Sequence, residues 1–234
     1  MAKWGRDRIL GDIVWTIRKF RPDVIILRFS GTPRDGHGQH QTSAILGREA
    51  FAAAADPKRY PEQLTQVEPW QAKRLMWNAF AFTPEQEKEA AALGGRVEID
   101  SGAYNPVLGY SYGEIAGMSR SQHRSQAMGS PERKGSSKQL FITIAGDTAR
   151  GDPFEGIDTS WKRVAGGASV ADLVEQADRA FTPEQPEKAL PALLKARAVV
   201  AGLKDPWAAR KLPEFDEAIA ECAGISVDAT AERA

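Results

Sequence analysis

Cysteine is almost absent from this chain: Cys222 is the only one among 234 residues. Without a second thiol an intrachain disulfide is excluded, and so is a cysteine-rich zinc site within one chain. Net charge is absent too, because 31 basic residues balance 31 acidic ones; a neutral chain of this kind does not invite nucleic acid or a membrane surface. No apolar run reaches the about 18 residues of a spanning helix. The opening Met1-Ala2-Lys3-Trp4-Gly5-Arg6-Asp7-Arg8 lacks the apolar segment of a secretory signal. These absences together lead to the expectation of a cytoplasmic protein. Histidine is scarce, with three copies, which makes the position of each informative.

What is present is ordinary for a globular protein: 42% hydrophobic and 26% charged residues, enough to bury a sizeable core in one large domain or in a domain with an appendage. The stretch from residue 23 to 55 organises the rest. Asp23-Val24-Ile25-Ile26-Leu27-Arg28-Phe29-Ser30 is dense in β-branched and apolar residues and is bounded by Pro22 and Gly31, as expected of a strand buried on both faces in a parallel sheet. A loop, Gly31-Thr32-Pro33-Arg34-Asp35-Gly36-His37-Gly38-Gln39-His40, then hangs from the strand's carboxyl end, where open α/β sheets bind their ligands. Thr42 or Ser43 is placed to cap an alanine-rich helix that Asp56-Pro57 stops.

Ahead of this stretch, Ile9, Leu10, Ile13, Val14, Ile17 and Phe20 recur at three- and four-residue steps and predict an amphipathic helix over residues 8–20, ended by Pro22. A helix in this place is normally the crossover of a β-α-β unit, yet no strand precedes it. Beyond a surface loop at residues 56–71, strands are expected at 73–80 and, as its neighbour, at 96–100, with a third at 140–145. Phe-Thr-Pro-Glu-Gln occurs at 82–86 and again at 181–185; threonine at N-cap and proline at N1 make each a helix start rather than an internal repeat. Residues 101–125 turn to glycine, serine and tyrosine ahead of a short helix at 113–124. Residues 128–138 read as a mobile polar loop, and residues 146–169 as a long irregular stretch of linker type. Helices are expected at 170–180, 187–202 and 213–223, ahead of a polar tail. The division that follows is an α/β domain over residues 1–168 and a helical appendage over 169–234.

His37 and His40 form an HxxH spacing that, on a helical turn, brings both imidazoles to one side, about 5 to 6 Å apart at Cβ. That is close enough to share a metal or a substrate. Catalytic zinc takes three ligands from His, Asp, Glu or Cys and leaves one position to water, and Asp35 with the histidines is in principle able to supply them. Surface composition is the competing reading of the same residues. His123, in Ser121-Gln122-His123-Arg124-Ser125-Gln126, either lines the same cleft or marks a polar helix face. Arg34 and Arg120 either hold an anionic substrate group or are solvated. Tyr104, Tyr110 and Tyr112 have the rings to stack on a sugar, whereas Trp15 and Trp77 sit in core-like patterns.

Arg21-Pro22-Asp23-Val24-Ile25-Ile26, the loop Asp35-Gly36-His37-Gly38-Gln39-His40 and the helix at 43–55 resemble the second conserved motif of the LmbE-like, or PIG-L, zinc deacetylases. The similarity continues through Tyr104-Asn105-Pro106 and residues 119–126. The resemblance implies a Rossmann-like fold and removal of acetyl groups from N-acetylglucosamine-type substrates by zinc-bound water. It implies His40 as a zinc ligand and His37 as the electrophile or general acid that stabilises the tetrahedral intermediate. Arg34, Asp35 and His123 are the substrate-binding candidates. The chain has Gly38-Gln39 where the family's common pattern has Pro-Asp, and the family's first motif, a His-Pro-Asp-Asp run carrying two zinc ligands and the aspartate that activates water, occurs nowhere in it. The expectation is therefore an internal or N-terminally truncated segment of a larger bacterial deacetylase with an incomplete zinc site. A secreted or periplasmic location follows if a leader was lost with the first strand. The alternative is a carbohydrate-binding or interaction module that keeps the histidine loop without a complete metal site.

Overall fold

The computed structural model of the protein describes residues 4–81, 83–126 and 129–227, the Gln126 side chain excepted. The chain divides into two compact units, Met1–Ile157 and Asp158–Ala234.

The first unit opens on α1 (Arg6–Phe20), whose stripe of Leu10, Val14 and Ile17 is buried. Arg21 ends it in the left-handed conformation (φ 55°), its N–H returning to the carbonyl of Ile17. The strand β1 (Val24–Leu27) leads through the histidine loop into α2 (Gly38–Ala53). Leu10, Val14 and Ile17 of α1 pack against Leu46, Ala50 and Ala53 of α2, and Ile25 of β1 joins them. On this side α2 lies so close to β1 that a Cβ at Gly47 would meet Leu27 Cδ2 at 2.6 Å. The opposite face of the sheet is closed by Met76, Val97 and Ala149 with Val24 and Phe141.

The sheet corrects the expected parallel arrangement. Its order is β1, β2 (Arg74–Asn78), β6 (Lys138–Gly146), β3 (Arg96–Asp100), and only the β1–β2 pairing is parallel. The strand at 96–100 is not the neighbour of β2, because β6 lies between them and pairs antiparallel with both. A β-bulge between Leu75 and Met76 interrupts the β2–β6 register, and such an insertion locally bends and twists a ladder. β1 is an edge strand, not one buried on both faces: Ile25 and Leu27 meet the helices, while Ile26 is 47% exposed.

Between β2 and β3, α3 (Pro84–Ala92) begins as the Thr-Pro-Glu-Gln pattern requires, with the Thr83 side chain accepting from the Gln86 N–H; Phe82 lies outside the described residues. A two-stranded hairpin, β4 (Tyr104–Asn105) with β5 (Tyr110–Ser111), precedes α4 (Tyr112–Ser121). Ser111 and Glu114 cap α4 reciprocally, the serine hydroxyl accepting from the Glu114 N–H while the carboxylate accepts from the Ser111 N–H. Residues 129–137 carry no helix or strand; Met128, where the polar loop was expected to begin, lies outside the described residues.

The stretch expected to be a linker is held at both ends. Ala149 is part of the sheet's core, and Arg74 donates to the carbonyls of Pro153 and Glu155. Trp161 and Val164 instead pack within the second unit, against Val170, Val200, Ala208 and Phe215. That unit consists of α5 (Ala168–Ala180), α6 (Leu190–Gly202) and α7 (Pro206–Cys222). The second Phe-Thr-Pro-Glu-Gln does not start a helix. Pro186 follows it, and the residue before a proline is pushed out of the helical region; Gln185 stands at φ −143°, ψ 60°, and α6 begins only at Leu190. α7 begins before the expected residue 213, because Asp205 caps it by accepting from Trp207 and Ala208 while Pro206 occupies the first turn. No helix among the described residues is long and apolar enough to cross a membrane.

Candidate functional site

β1 ends at Leu27, and the next residues are drawn into a tight loop by one carboxylate. Asp35 is buried, and its Oδ1 accepts from the Ser30 N–H (3.0 Å) and hydroxyl (2.8 Å). Its Oδ2 accepts from the N–H groups of Gly31 (2.7 Å) and Thr32 (3.2 Å). Burial pushes the carboxyl upward, and these hydrogen bonds outweigh it, holding Asp35 below the ordinary carboxylate range. The turns on either side of this knot need glycine: Gly31 has φ +84° and Gly36 φ +76°. Asp35 was a candidate for substrate or metal contact. Both its oxygens are spent on the loop's own backbone, so its place is that of a structural anchor.

His37 is the N-cap of α2, in extended conformation and exposed, and His40 lies on the helix's first turn, half-buried. The two rings are nearly parallel, with centroids 5.3 Å apart and planes 8° apart. Phe29 stacks on the other face of His40 at 4.0 Å, again at 8°. His40 is thus clamped in a stack of three rings. Its Nδ1 lies 3.3 Å from the carbonyl oxygen of Asp35, which can only accept, so Nδ1 carries the proton and Nε2 presents a lone pair. This is the tautomer and the support that metal-binding or proton-accepting histidines commonly have.

The stack also decides what the pair cannot do together. A metal–imidazole bond lies in the plane of the ring, and one ion cannot lie in two parallel, stacked planes. His37 and His40 in this arrangement do not share a metal. Among the described residues no group of three His, Cys, Asp or Glu side chains comes together to hold an ion. His123 lies beyond the C-cap of α4, exposed, its N–H donating to the Arg120 carbonyl, and no contact among the described residues joins it to His37 or His40. The side chains described therefore do not fit a three-ligand zinc centre: His40 is one suitable ligand, and Asp35 is committed elsewhere.

Arg34 is engaged within the fold. It donates to the Phe80 carbonyl (3.1 Å), lies over the Trp77 ring at 5.2 Å and reaches Glu89 at 4.0 Å. The structure adds residues that pattern reading passed over. Phe80 meets Phe29 edge-on at 6.2 Å, and Arg28 covers the other side of the environment, its guanidinium 3.6 Å from the Phe80 centroid and hydrogen-bonded to Asn78. The available signal was Arg28 itself, a charge that closes an otherwise apolar strand. Tyr104, Tyr110 and Tyr112 are exposed around the hairpin, while Trp15 and Trp77 are half-buried. No protein-family model matches the chain, and no curated protein or solved structure is significantly similar to it.

Proposed function

We propose that this chain supplies the histidine loop of an N-deacetylase centre of the LmbE-like type, on a sheet of Rossmann-like descent, acting on N-acetylglucosamine-type substrates. The observation that carries the reading is the Phe29–His40–His37 stack at the carboxyl end of β1, with one His40 nitrogen fixed on a backbone carbonyl and the other presented. His37 stands exposed at the start of a sixteen-residue helix, where the helix dipole favours negative charge. An imidazole N–H donated there to the acetamide oxygen would stabilise the oxyanion that develops during hydrolysis. His40 Nε2 is the candidate single ligand for zinc, and the family's remaining ligands and its water-activating aspartate have no counterpart among the described residues. Arg34, Asp35 and His123 act, on this reading, by shaping or bordering the loop.

A second reading, a carbohydrate-binding or interaction module without chemistry, is favoured by the missing three-ligand group and by the exposed Tyr104, Tyr110 and Tyr112. Imidazole signals in nitrogen-15 NMR spectra of the chain separate the two. N-acetylglucosamine is expected to shift the signals of His37 and His40, and glucosamine is not; equal shifts with both sugars, or shifts confined to the tyrosines, favour the binding module. Zinc is expected to be lost on desalting, with no acetate released. Stoichiometric zinc together with acetate release, both abolished in His40→Ala, would overturn the assignment of an incomplete centre.

A further inference from the structure

A second concentration of chemistry lies beside the histidine loop, in a cleft of about 680 Å³ between the end of β1, α4 and the segment before β6. Arg28, Arg120 and Arg133 line it, with Tyr112, Ser101 and Gln139 among the other walls. No carboxylate is among its described lining residues. This is unusual placement for three arginines in a chain whose charges otherwise balance.

The nearby acids are committed to other partners. Glu98 pairs with Lys138 at 2.7 Å. Asp100 accepts from the N–H groups of Gly102 (2.8 Å) and Ser137 (2.7 Å). Glu114 accepts from Ser111 and pairs with Lys134 at 3.3 Å. Arg120 and Arg133 make no ion pair among the described residues, and Arg28 has only the neutral Asn78 and the Phe80 ring. Burial lowers the Arg28 pKa, and the charge of Arg120 lowers it further, so the two guanidinium groups repel one another across the cleft. Like charges held together without a counterion destabilise the protein unless an anion fills the space between them. The Tyr112 hydroxyl accepts from Asn105 Nδ2 (3.4 Å), which leaves its own proton free to donate to such an anion.

We infer that Arg28, Arg120 and Arg133 form a binding site for the phosphate group of a small, soluble phosphate monoester. Planar guanidinium groups present paired donors that match phosphate oxygens, and the cleft has the dimensions of a small-molecule site rather than of an extended basic stripe for nucleic acid. Phe80 touches both Arg28 and Phe29, so the bound molecule would lie alongside the histidine loop. The site itself does not depend on what that loop does.

Calorimetric titration at constant ionic strength, with inorganic phosphate and with glucose 6-phosphate, tests it. Saturable one-to-one binding is expected for glucose 6-phosphate, weakened about tenfold or more in each of Arg120→Gln and Arg133→Gln, the loss of one charge-assisted contact, and unchanged in Arg8→Gln. Both cleft arginines are exposed, and thermal melting of each variant verifies its fold. Undiminished binding in the Arg120→Gln, Arg133→Gln double variant, or no saturable binding of either soluble phosphate, overturns the site. So does binding to phosphatidic acid vesicles alone, which would assign the arginines to a lipid surface. No residue of the histidine loop is altered, so the NMR response of His37 and His40 stays a separate measurement.

Discussion

Asp35 shows how one buried side chain can shape a functional loop without entering its chemistry. Its carboxylate gathers four hydrogen bonds from Ser30, Gly31 and Thr32, and its backbone carbonyl orients His40. Hydrogen bonds to a charged group contribute about 1.5–3 kcal/mol, so Asp35→Asn is expected to cost about 2 kcal/mol at neutral pH. The sign of the pH dependence follows from the lowered native pKa. Stability from such a group is fully present above the unfolded-state value of about 4 and is lost as the pH falls through the native value. The deficit of Asp35→Asn should therefore narrow under acid conditions. Urea titrations of both chains at neutral pH and at successive steps down to about pH 3 measure this. A deficit constant over that range would assign the stabilisation to packing instead of charge.

At the scale of elements, Arg18 joins the first helix to the end of the second. It is completely buried, and its guanidinium donates to the carbonyls of Ala53, Ala54, Asp56, Arg59 and Tyr60 and to the Gln63 side chain. The last carbonyls of a helix have no partner within it, and here they face protein rather than water. Arg18 therefore terminates α2 from another element and fixes the turn that follows. Arg18→Met keeps the apolar stem but leaves several buried acceptors unpaired, and the expected loss is about 3 kcal/mol or more. Hydrogen exchange should then rise first in the last turn of α2. Full stability in the methionine variant would mean that water replaces the guanidinium without cost.

For the whole molecule, the place where one unit ends and the other begins is testable. Trp161 and Val164 belong to the helical core, with Trp161 edge-on to Trp207 at 4.8 Å, whereas residues up to 157 are held by Arg74 and Lys73. A fragment of residues 158–234 is expected to melt cooperatively. One of residues 169–234 should be less stable by about 3 kcal/mol, the typical cost of removing large core side chains. Circular dichroism melts of the two fragments decide it, and equal stability would move the boundary back to residue 168.

Local chemistry made much of this protein legible in its sequence. The apolar periodicity of Leu10, Val14 and Ile17, the run Val24 to Leu27 and the cap at Thr83 depend on near neighbours, and each formed the expected element. The HxxH spacing brought His37 and His40 together because both lie at one helix start. Long-range pairing was not legible. An apolar run has the same composition in a central strand as at an edge, so nothing in Val24–Leu27 announced that β1 would have one neighbour or that β6 would enter between β2 and β3. The roles of Asp35 and Arg18 were hidden for the same reason. A charged residue in a sequence carries no mark of burial, and only the tertiary structure decided which backbone groups surround it and whether its charge faces a ligand or the fold itself.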